Sequence, residues 1–327
     1  MIKTRITELF GIETPIVGGC MMHISGAEFV AAISNTGALG IMASAMFPTQ
    51  DAFREAVRMT KTLTKRPFGV NLSLFPALRP IDNNLYVEVI LEEGVPVVET
   101  SGQRPPEEML QKLKQAGVIT MHKCVSVRHA LSAQRAGVDA VTLFGSEGGG
   151  HIGEYGLSTF ILVPCAADEL EIPILAAGGI TDGRGLLAAL ALGADGVTIG
   201  TRLLVTEECP IHENLKQALM AATELDTMPV LGTLHNTLRA WKNPAAERVL
   251  ELETVGGDLS EILSAAAGEK LKAMINSGEI DAGVIACSQG IGLVHEIKTV
   301  REVIEGMVRE AMDIGEGLLR WKVESNE

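Results

Sequence analysis

The chain has 327 residues, of which 46% are hydrophobic, 4% aromatic and 21% charged, and its formal net charge is −14. This length and composition are typical of a globular protein with an aliphatic core, in one large domain or two smaller ones. The excess of negative charge argues against nucleic acid or an anionic membrane as a partner.

No segment of the sequence predicts export or a membrane span. The N-terminal region carries Glu8 and Glu13 and no long apolar run, so we expect no signal peptide. The most apolar stretch, residues 186–205, contains Asp195, Arg202 and three glycines, which favours helix, turn and strand over a membrane helix. The five cysteines are scattered without CxxC spacing, so we expect neither a metal site nor disulfides and predict a cytoplasmic protein.

Eight short apolar runs, each a candidate β-strand, alternate with helical segments along the first 204 residues. They are PIVGG (15–19), LGIMAS (39–44), FGVNLSLF (68–75), VPVVETS (95–101), VITMHKC (118–124), VDAVTLFG (138–145), PILAA (173–177) and ADGVTIGT (194–201). Five runs follow a glycine suited to end a helix, namely Gly37, Gly94, Gly117, Gly137 and Gly193. This alternation predicts parallel βαβ units in an α/β protein, and eight of them suggest a (β/α)8 TIM barrel. A doubly wound sheet is the alternative that the pattern leaves open.

The alternation stops after Leu204. Residues from about 211 to 280 look helical and predict a smaller helical insertion or cap, and Thr299–Lys322 looks like one long helix that returns to the barrel. We therefore predict a barrel domain formed by residues 1–210 and 286–327, with a cap or substrate domain at residues 211–285.

Two glycine-containing segments follow the seventh and eighth candidate strands. They are AAGGITDGRG (176–185) and TIGTRLL (198–204). In (β/α)8 barrels the active site lies at the carboxyl ends of the strands, and phosphate often binds in the loops after strands seven and eight. Free backbone amides at such loops bind anions. The two segments together predict a phosphate site.

The segment GSEGGGHIGE (145–154) follows the sixth candidate strand and lies on the same rim. Gly148, Gly150 and Gly153 match GxGxxG formally, but no helix follows them directly, so we reject a dinucleotide-binding motif. We favour a loop that passes close to a flat ligand, and a plain loop with a structural histidine is the alternative. His151 would project toward that ligand, and because histidine titrates near neutral pH it would transfer protons.

Two polar residues at strand ends are further candidates. Lys123 lies at the end of the fifth strand. Because side chains alternate along a strand, it points to the opposite side from His122 and Cys124, toward the barrel mouth. A lysine there is costly unless a polar or anionic ligand meets it. Asn71 on the third strand offers both a donor and an acceptor.

These residues together resemble the nitronate monooxygenase family, also called 2-nitropropane dioxygenase-like flavoproteins. The resemblance covers almost the whole chain. It is carried by PIVGGCMM (15–22), SNTGALG (34–40), FGVNLSLFP (68–76), HKCVSVRHA (122–130), EGGGHIGE (147–154), AAGGITDGRG and GTRLLVTEECPIH (200–212). The resemblance implies a barrel, a smaller helical domain and a non-covalent FMN.

The resemblance also implies roles for individual residues. His151 would be the catalytic residue, and the glycines before it would let the loop approach the flavin. The implied cofactor-binding set is Met21, Met22, Asn71 and Lys123 near the isoalloxazine ring, Gly149 and Gly150 in the loop, Ala177, and Gly178, Gly179, Gly200 and Thr201 around the phosphate. No metal ligand is expected.

The sequence departs from the family pattern beside the expected substrate position. The family commonly has GGM, whereas this chain has Gly19, Cys20 and Met21, and His23 replaces a common aromatic. We predict an FMN-dependent nitronate monooxygenase that oxidises alkyl nitronates or nitroalkanes with O2. The alternatives are NAD(P)H:quinone reductase, which HKCVSVRHA and ECPIH favour, and FMN-dependent enoyl-ACP reductase, which shares GGHIGE.

Two more distant alternatives are also open. The phosphate segments resemble those of IMP dehydrogenase-like barrels, but residues 145–154 lack the nucleophilic cysteine that this chemistry needs. A non-enzymatic ligand-binding barrel would keep the same residues without turnover. We expect a small-molecule substrate (nitronate or quinone, with NAD(P)H as a donor in the second case), and a homodimer is the candidate assembly.

Overall fold

The computed structural model describes residues 2–75 and 82–320. Eight parallel strands close into a barrel in the order β1-β2-β3-β4-β5-β6-β8-β9. They are β1 (Ile16–Gly18), β2 (Leu39–Ala43), β3 (Phe68–Leu74), β4 (Val97–Gly102), β5 (Ile119–Cys124), β6 (Ala140–Phe144), β8 (Ile174–Ala177) and β9 (Gly196–Ile199). All eight predicted strands are present. Val17 of β1 pairs with Thr198 of β9, which closes the sheet and excludes the doubly wound alternative.

The helices between the barrel strands form the outer layer, and further helices precede and follow the barrel. They are α1 (Arg5–Phe10), α2 (Ala27–Ser34), α3 (Gln50–Leu63), α4 (Asn83–Glu92), α5 (Glu107–Gln115), α6 (Val127–Ala136), α7 (Thr159–Ala167), α8 (Gly183–Ala191), α9 (Thr201–Leu204), α10 (Glu213–Met220), α11 (Pro244–Thr254), α12 (Leu259–Ala265), α13 (Gly268–Ser277) and α14 (Val300–Leu318). In the described ranges, no helix combines the length and the apolar character that a membrane crossing requires.

An apolar plug fills the amino-terminal half of the barrel. Val17, Leu39, Val97 and Met121 point inward from their strands and are fully buried in one cluster, which also includes Phe10 of α1. Helix α1 thus covers the bottom of the barrel. Because the strands are buried on both faces, their sequences are almost continuously apolar, and this is why the runs could be recognised.

The five glycines expected to end helices all adopt positive φ, as predicted. At Gly137, for example, φ is 94°, and an added Cβ would meet nothing within 4 Å. The requirement there is therefore the left-handed conformation rather than space.

The segment after β9 differs in one respect from the expectation of helices alone. It contains α10 to α13, but also β10 (Thr227–Val230) and β11 (Leu238–Trp241), which pair antiparallel. Strand β11 also pairs with β7 (Gly150–His151), a two-residue strand in the loop after β6. The prediction missed this sheet because its register depends on a partner strand from a distant part of the chain.

The long terminal helix α14 lies against α8, close to its predicted place. Its N-terminus is capped by Thr299 and Glu302 in a capping box. The Glu310 carboxylate accepts a hydrogen bond from the amide of Gly183 at 2.7 Å, at the start of α8. The predicted end at Lys322 lies outside the described residues.

Candidate active site

Charged and polar side chains lie inside the barrel above the apolar plug. Glu99 of β4 and Lys123 of β5 occupy the inward positions two residues after Val97 and Met121. The Glu99 side chain is fully buried, and its Oε2 accepts a hydrogen bond from Asn71 Nδ2 at 2.7 Å and lies 3.1 Å from Lys123 Nζ. The structure therefore brings Asn71 and Lys123 together on a carboxylate that the sequence analysis did not single out.

The ion pair keeps the lysine charged. Burial alone would lower the pKa of Lys123, but the carboxylate of Glu99, 3.1 Å away, holds that pKa above its ordinary value. Burial raises the pKa of the Cys20 thiol to about 12 although Lys123 opposes the rise. Cys20 is thus a neutral thiol beside the ion pair and not a nucleophilic thiolate.

Buried oxygens without partners mark the same region of the barrel. Within residues 2–75 and 82–320, Glu99 Oε1, Thr142 Oγ1 and Thr198 Oγ1 are buried and accept or donate no hydrogen bond. Thr142 lies next to Lys123 in the β5–β6 register. Buried polar atoms of this kind are usually satisfied by ordered water.

His151 lies on β7 and stacks on an aromatic ring that follows β3. The centroids of the His151 and Phe75 rings are 4.7 Å apart, with 29° between the ring planes. Burial, with a smaller contribution from the charge of Lys123, lowers the pKa of His151 to about 4. The expectation that this histidine titrates near neutral pH is therefore corrected: the imidazole is neutral at pH 7.

The loop that carries His151 is held from both sides. On the barrel side, the Glu147 carboxylate accepts hydrogen bonds from the amide and hydroxyl of Thr159 at the start of α7. On the other side, Arg239 Nε donates to the carbonyl of Ser146 at 2.8 Å, and β7 pairs with β11. The position of His151 thus depends on residues that come after the barrel in sequence.

The glycines of this loop mostly meet protein. A Cβ on Gly149 would lie 2.6 Å from the Cys287 carbonyl carbon, and one on Gly148 would lie 2.5 Å from the Phe144 ring. Gly150, in contrast, has φ 111° and would meet nothing within 4 Å. The close approach at Gly149 is therefore to another loop, and only Gly150 faces open space.

The two glycine loops after β8 and β9 meet on Ser288. The amide of Gly179 donates to Ser288 Oγ at 3.2 Å, and the amide of Ser288 donates to Thr201 Oγ1 at 2.9 Å. The amides of Gly178, Gly200 and Thr201 donate to no protein atom among the described residues. The predicted loops therefore converge and leave free donors, which is what a phosphate group requires.

Three other predicted residues have different surroundings. Met21 lies close to the β9 loop, since a Cβ on Gly200 would be 3.9 Å from its Sδ. Ala177 is buried, and its carbonyl accepts a hydrogen bond from the amide of Gly145. The side chain of Met22 is exposed, and the next residue, His23, has φ 63° and lies against Gly268.

Sequence reasoning missed four residues that shape the site. Strand alternation could have placed Glu99, because it shares the inward face with Val97 in VPVVETS. Phe75, Arg239 and Ser288 carry no comparable signal, since each reaches the site from a different loop or strand. In the described part of the chain, no group of His, Cys, Asp and Glu side chains is arranged to hold a metal ion.

The (β/α)8 fold, the converging glycine loops at the mouth and the buried ion pair beneath them are those expected of a flavin-dependent oxidoreductase. A family model described as nitronate monooxygenase matches residues 3–310. The chain belongs to the nitronate monooxygenase family.

Individual relatives are named for different activities. The chain is 35% identical, over 95% of its length and 96% of the relative's, to a (3aS,4S,5R,7aS)-5-hydroxy-7a-methyl-1-oxo-octahydro-1H-indene-4-carboxyl-CoA dehydrogenase of Rhodococcus jostii. It is 28% identical to a probable nitronate monooxygenase of Staphylococcus aureus, over 95% of its length and 98% of the relative's. The structure of FabK from Thermotoga maritima superposes with a TM-score of 0.89 at 35% identity, covering 98% of this chain and 99% of that one.

Proposed function

We propose that the chain binds one FMN non-covalently at the mouth of the barrel. The free amides of Gly178, Gly200 and Thr201 would hold its single phosphate, with Gly179 completing the loop. FAD would need room for a second phosphate and an adenosine. When bound, FMN takes two electrons from one substrate as a hydride and passes them to a second substrate.

Asn71 and Lys123 support the placement of the ring. The pyrimidine edge of a flavin carries carbonyl acceptors, and these two side chains offer an amide and an ammonium donor side by side. Met21 would pack beside the β9 loop, and Gly150 faces open space where a flat ring could approach. Gly149 and Ala177 would shape the flavin site through their backbone.

The charge state of the site is the observation that supports the proposed type of reaction. His151 is neutral at pH 7, and the charge of Lys123 is balanced by Glu99. At physiological pH the imidazole of His151 is unprotonated and can accept a proton, with the reduced basicity that its burial imposes. Such a site suits a neutral substrate that loses a proton to His151 as it gives up a hydride, rather than an anion that has already lost its proton.

We therefore propose that the chain oxidises or reduces a carboxylic thioester, with coenzyme A as the thiol. The thioester carbonyl acidifies the C–H bond at the α-carbon, so the α-hydrogen would leave as a proton to His151. The hydrogen on the β-carbon would leave as a hydride to the flavin, and a double bond would form between the two carbons. The name of the Rhodococcus jostii relative, a carboxyl-CoA dehydrogenase, supports this substrate class.

The test is anaerobic bleaching of the bound flavin by single donors. The flavin-loaded protein is mixed with a panel of saturated acyl-CoA thioesters, with the corresponding free acids as controls, and the reduced protein is then mixed with 2-enoyl-CoA thioesters. We expect bleaching or reoxidation with thioesters only. Fast bleaching by alkyl nitronates with turnover in O2, and no response to thioesters in either direction, would replace this proposal.

Nitronate oxidation is the second candidate, because the family model carries that description. In this case the buried ammonium of Lys123 would attract the anion, and His151 would be needed only for neutral nitroalkanes. His151→Ala would then abolish oxidation of nitroalkanes but spare nitronates. NAD(P)H:quinone reduction stays a prediction and is tested by adding NADH or NADPH to the same assay.

A further inference from the structure

We infer that Glu99 is a positioning residue that sets the redox potential of the bound flavin through Lys123. This inference rests on the FMN site proposed above. It concerns a residue outside the set that would touch the cofactor.

Glu99 can act only through its neighbours. Its side chain is 0% exposed, whereas the Lys123 side chain is 19% exposed toward the mouth. The carboxylate therefore lies behind Lys123 and Asn71, and no ligand in the mouth reaches it. Its Oε2 contacts both of these side chains, so it fixes the position of the two donors that would meet the ring.

The carboxylate also cancels the positive charge of Lys123. A flavin gains negative charge when it is reduced, so an uncompensated ammonium nearby favours reduction and an uncompensated carboxylate opposes it. Because Glu99 is fully buried and Lys123 is only partly exposed, solvent screens their charges less than it screens charges at the surface. The two residues must therefore shift the potential in opposite directions.

The direction in which the flavin potential changes distinguishes this role of Glu99 from a purely structural one. Glu99→Gln keeps the size of the side chain and an oxygen that accepts from Asn71 and Lys123, but it removes the negative charge. If Glu99 only supported the fold, its loss and the loss of Lys123 would both weaken flavin binding without opposite changes in potential.

The experiment measures the midpoint potential of the bound flavin by equilibration with redox dyes, so no substrate is required. We expect Glu99→Gln to increase the ratio of the affinity for reduced flavin to the affinity for oxidised flavin by at least about tenfold. This change corresponds to a rise of about 30 mV in the midpoint potential of a two-electron couple. Lys123→Met should lower the potential, and the double variant should fall between the two single variants. Thr142→Val, which changes a neighbouring uncharged side chain, is the matched control and should leave the potential unchanged.

If Glu99→Gln binds flavin and the potential of that flavin stays constant or falls, this inference is overturned while the FMN proposal stands. If Glu99→Gln does not fold, the double variant, which contains no unpaired buried charge, is compared with Lys123→Met. The double variant must then have the higher potential, and an equal or lower value contradicts the inference. Protein that binds no flavin at all would overturn the FMN proposal and this inference with it.

Discussion

Phe75 and His151 stack with their ring centroids 4.7 Å apart, although Phe75 follows the barrel strand β3 and His151 lies on β7, in the separate sheet that β7 forms with β11 and β10. The stack covers the imidazole and contributes to the burial that lowers the pKa of His151 to about 4. The state of the proposed proton acceptor therefore depends on the contact between these two parts of the fold.

Replacing His151 with alanine should remove proton transfer but not flavin binding. The phosphate contacts lie on other loops, so we expect a normal flavin content and a loss of kcat of roughly 10²–10⁴-fold. In the wild type, kcat/KM should be constant from about pH 8 to about pH 5 and fall only as the imidazole is protonated near pH 4. A variant purified without flavin would show that His151 is structural.

Replacing Phe75 with alanine should admit water to the imidazole. Because the pKa of His151 is lowered mainly by burial, hydration should raise it toward the ordinary value of about 6.5. The acidic limb of the pH–rate profile should then move to higher pH. Phe75→Leu, which keeps an apolar cover, is the control, and identical profiles for the two variants would contradict this explanation.

Gly149→Ala should destabilise the fold and disturb the loop that carries His151. The added Cβ would lie 2.6–2.7 Å from backbone atoms of Cys287 and Ser288, which cannot rotate away. We expect a loss of about 1–3 kcal/mol in the free energy of unfolding, together with reduced activity. Gly137→Ala, which meets no atom within 4 Å, should cost about 1–2 kcal/mol from its positive φ alone and leave activity intact. Equal activity in the two variants would argue against the proposed role of this contact.

Ser288→Ala should weaken flavin binding. The Ser288 hydroxyl accepts hydrogen bonds from the amides of Gly179 and Gly290, and its loss would loosen the loop at the phosphate. A cost of about 1.4 kcal/mol corresponds to a tenfold rise in the Kd for FMN, measured by fluorescence titration of the apoprotein. Ser264→Ala, at an exposed position, should leave the Kd unchanged. An unchanged Kd in Ser288→Ala would place the phosphate elsewhere.

His122 should make the fold sensitive to acid. Burial lowers the pKa of His122 to about 4, and its Nδ1 pairs with Thr100 Oγ1 at 2.8 Å. The unfolded chain takes up a proton near pH 6.5, whereas the folded protein does so only near pH 4. The stabilisation is therefore present above about pH 6.5 and is lost as the pH falls toward 4, by about 3 kcal/mol. Urea unfolding at several pH values should show a smaller loss in His122→Gln, and equal slopes would contradict this assignment.

The barrel could be predicted from the sequence because its signals are local. A strand covered on both faces must be apolar along its length, and a helix that ends in the left-handed conformation favours glycine, as at Gly137. The positions of Asn71 and Lys123 followed in the same way, since strand alternation and the carboxyl ends of the strands determine which side chains face the mouth.

Other features were decided only by the tertiary structure. Strands β10 and β11 belong to a sheet in which β7 supplies a further partner. A segment of only four residues, such as Leu238–Trp241, carries no strong strand signal in its own sequence. The neutral state of His151 results from burial against Phe75, and the charge balance at Lys123 results from Glu99 on the neighbouring strand β4. The local periodicity of a sequence indicates whether a residue is buried. The pKa values and ion pairs depend on which groups meet in the fold, and packing between distant segments determines these contacts.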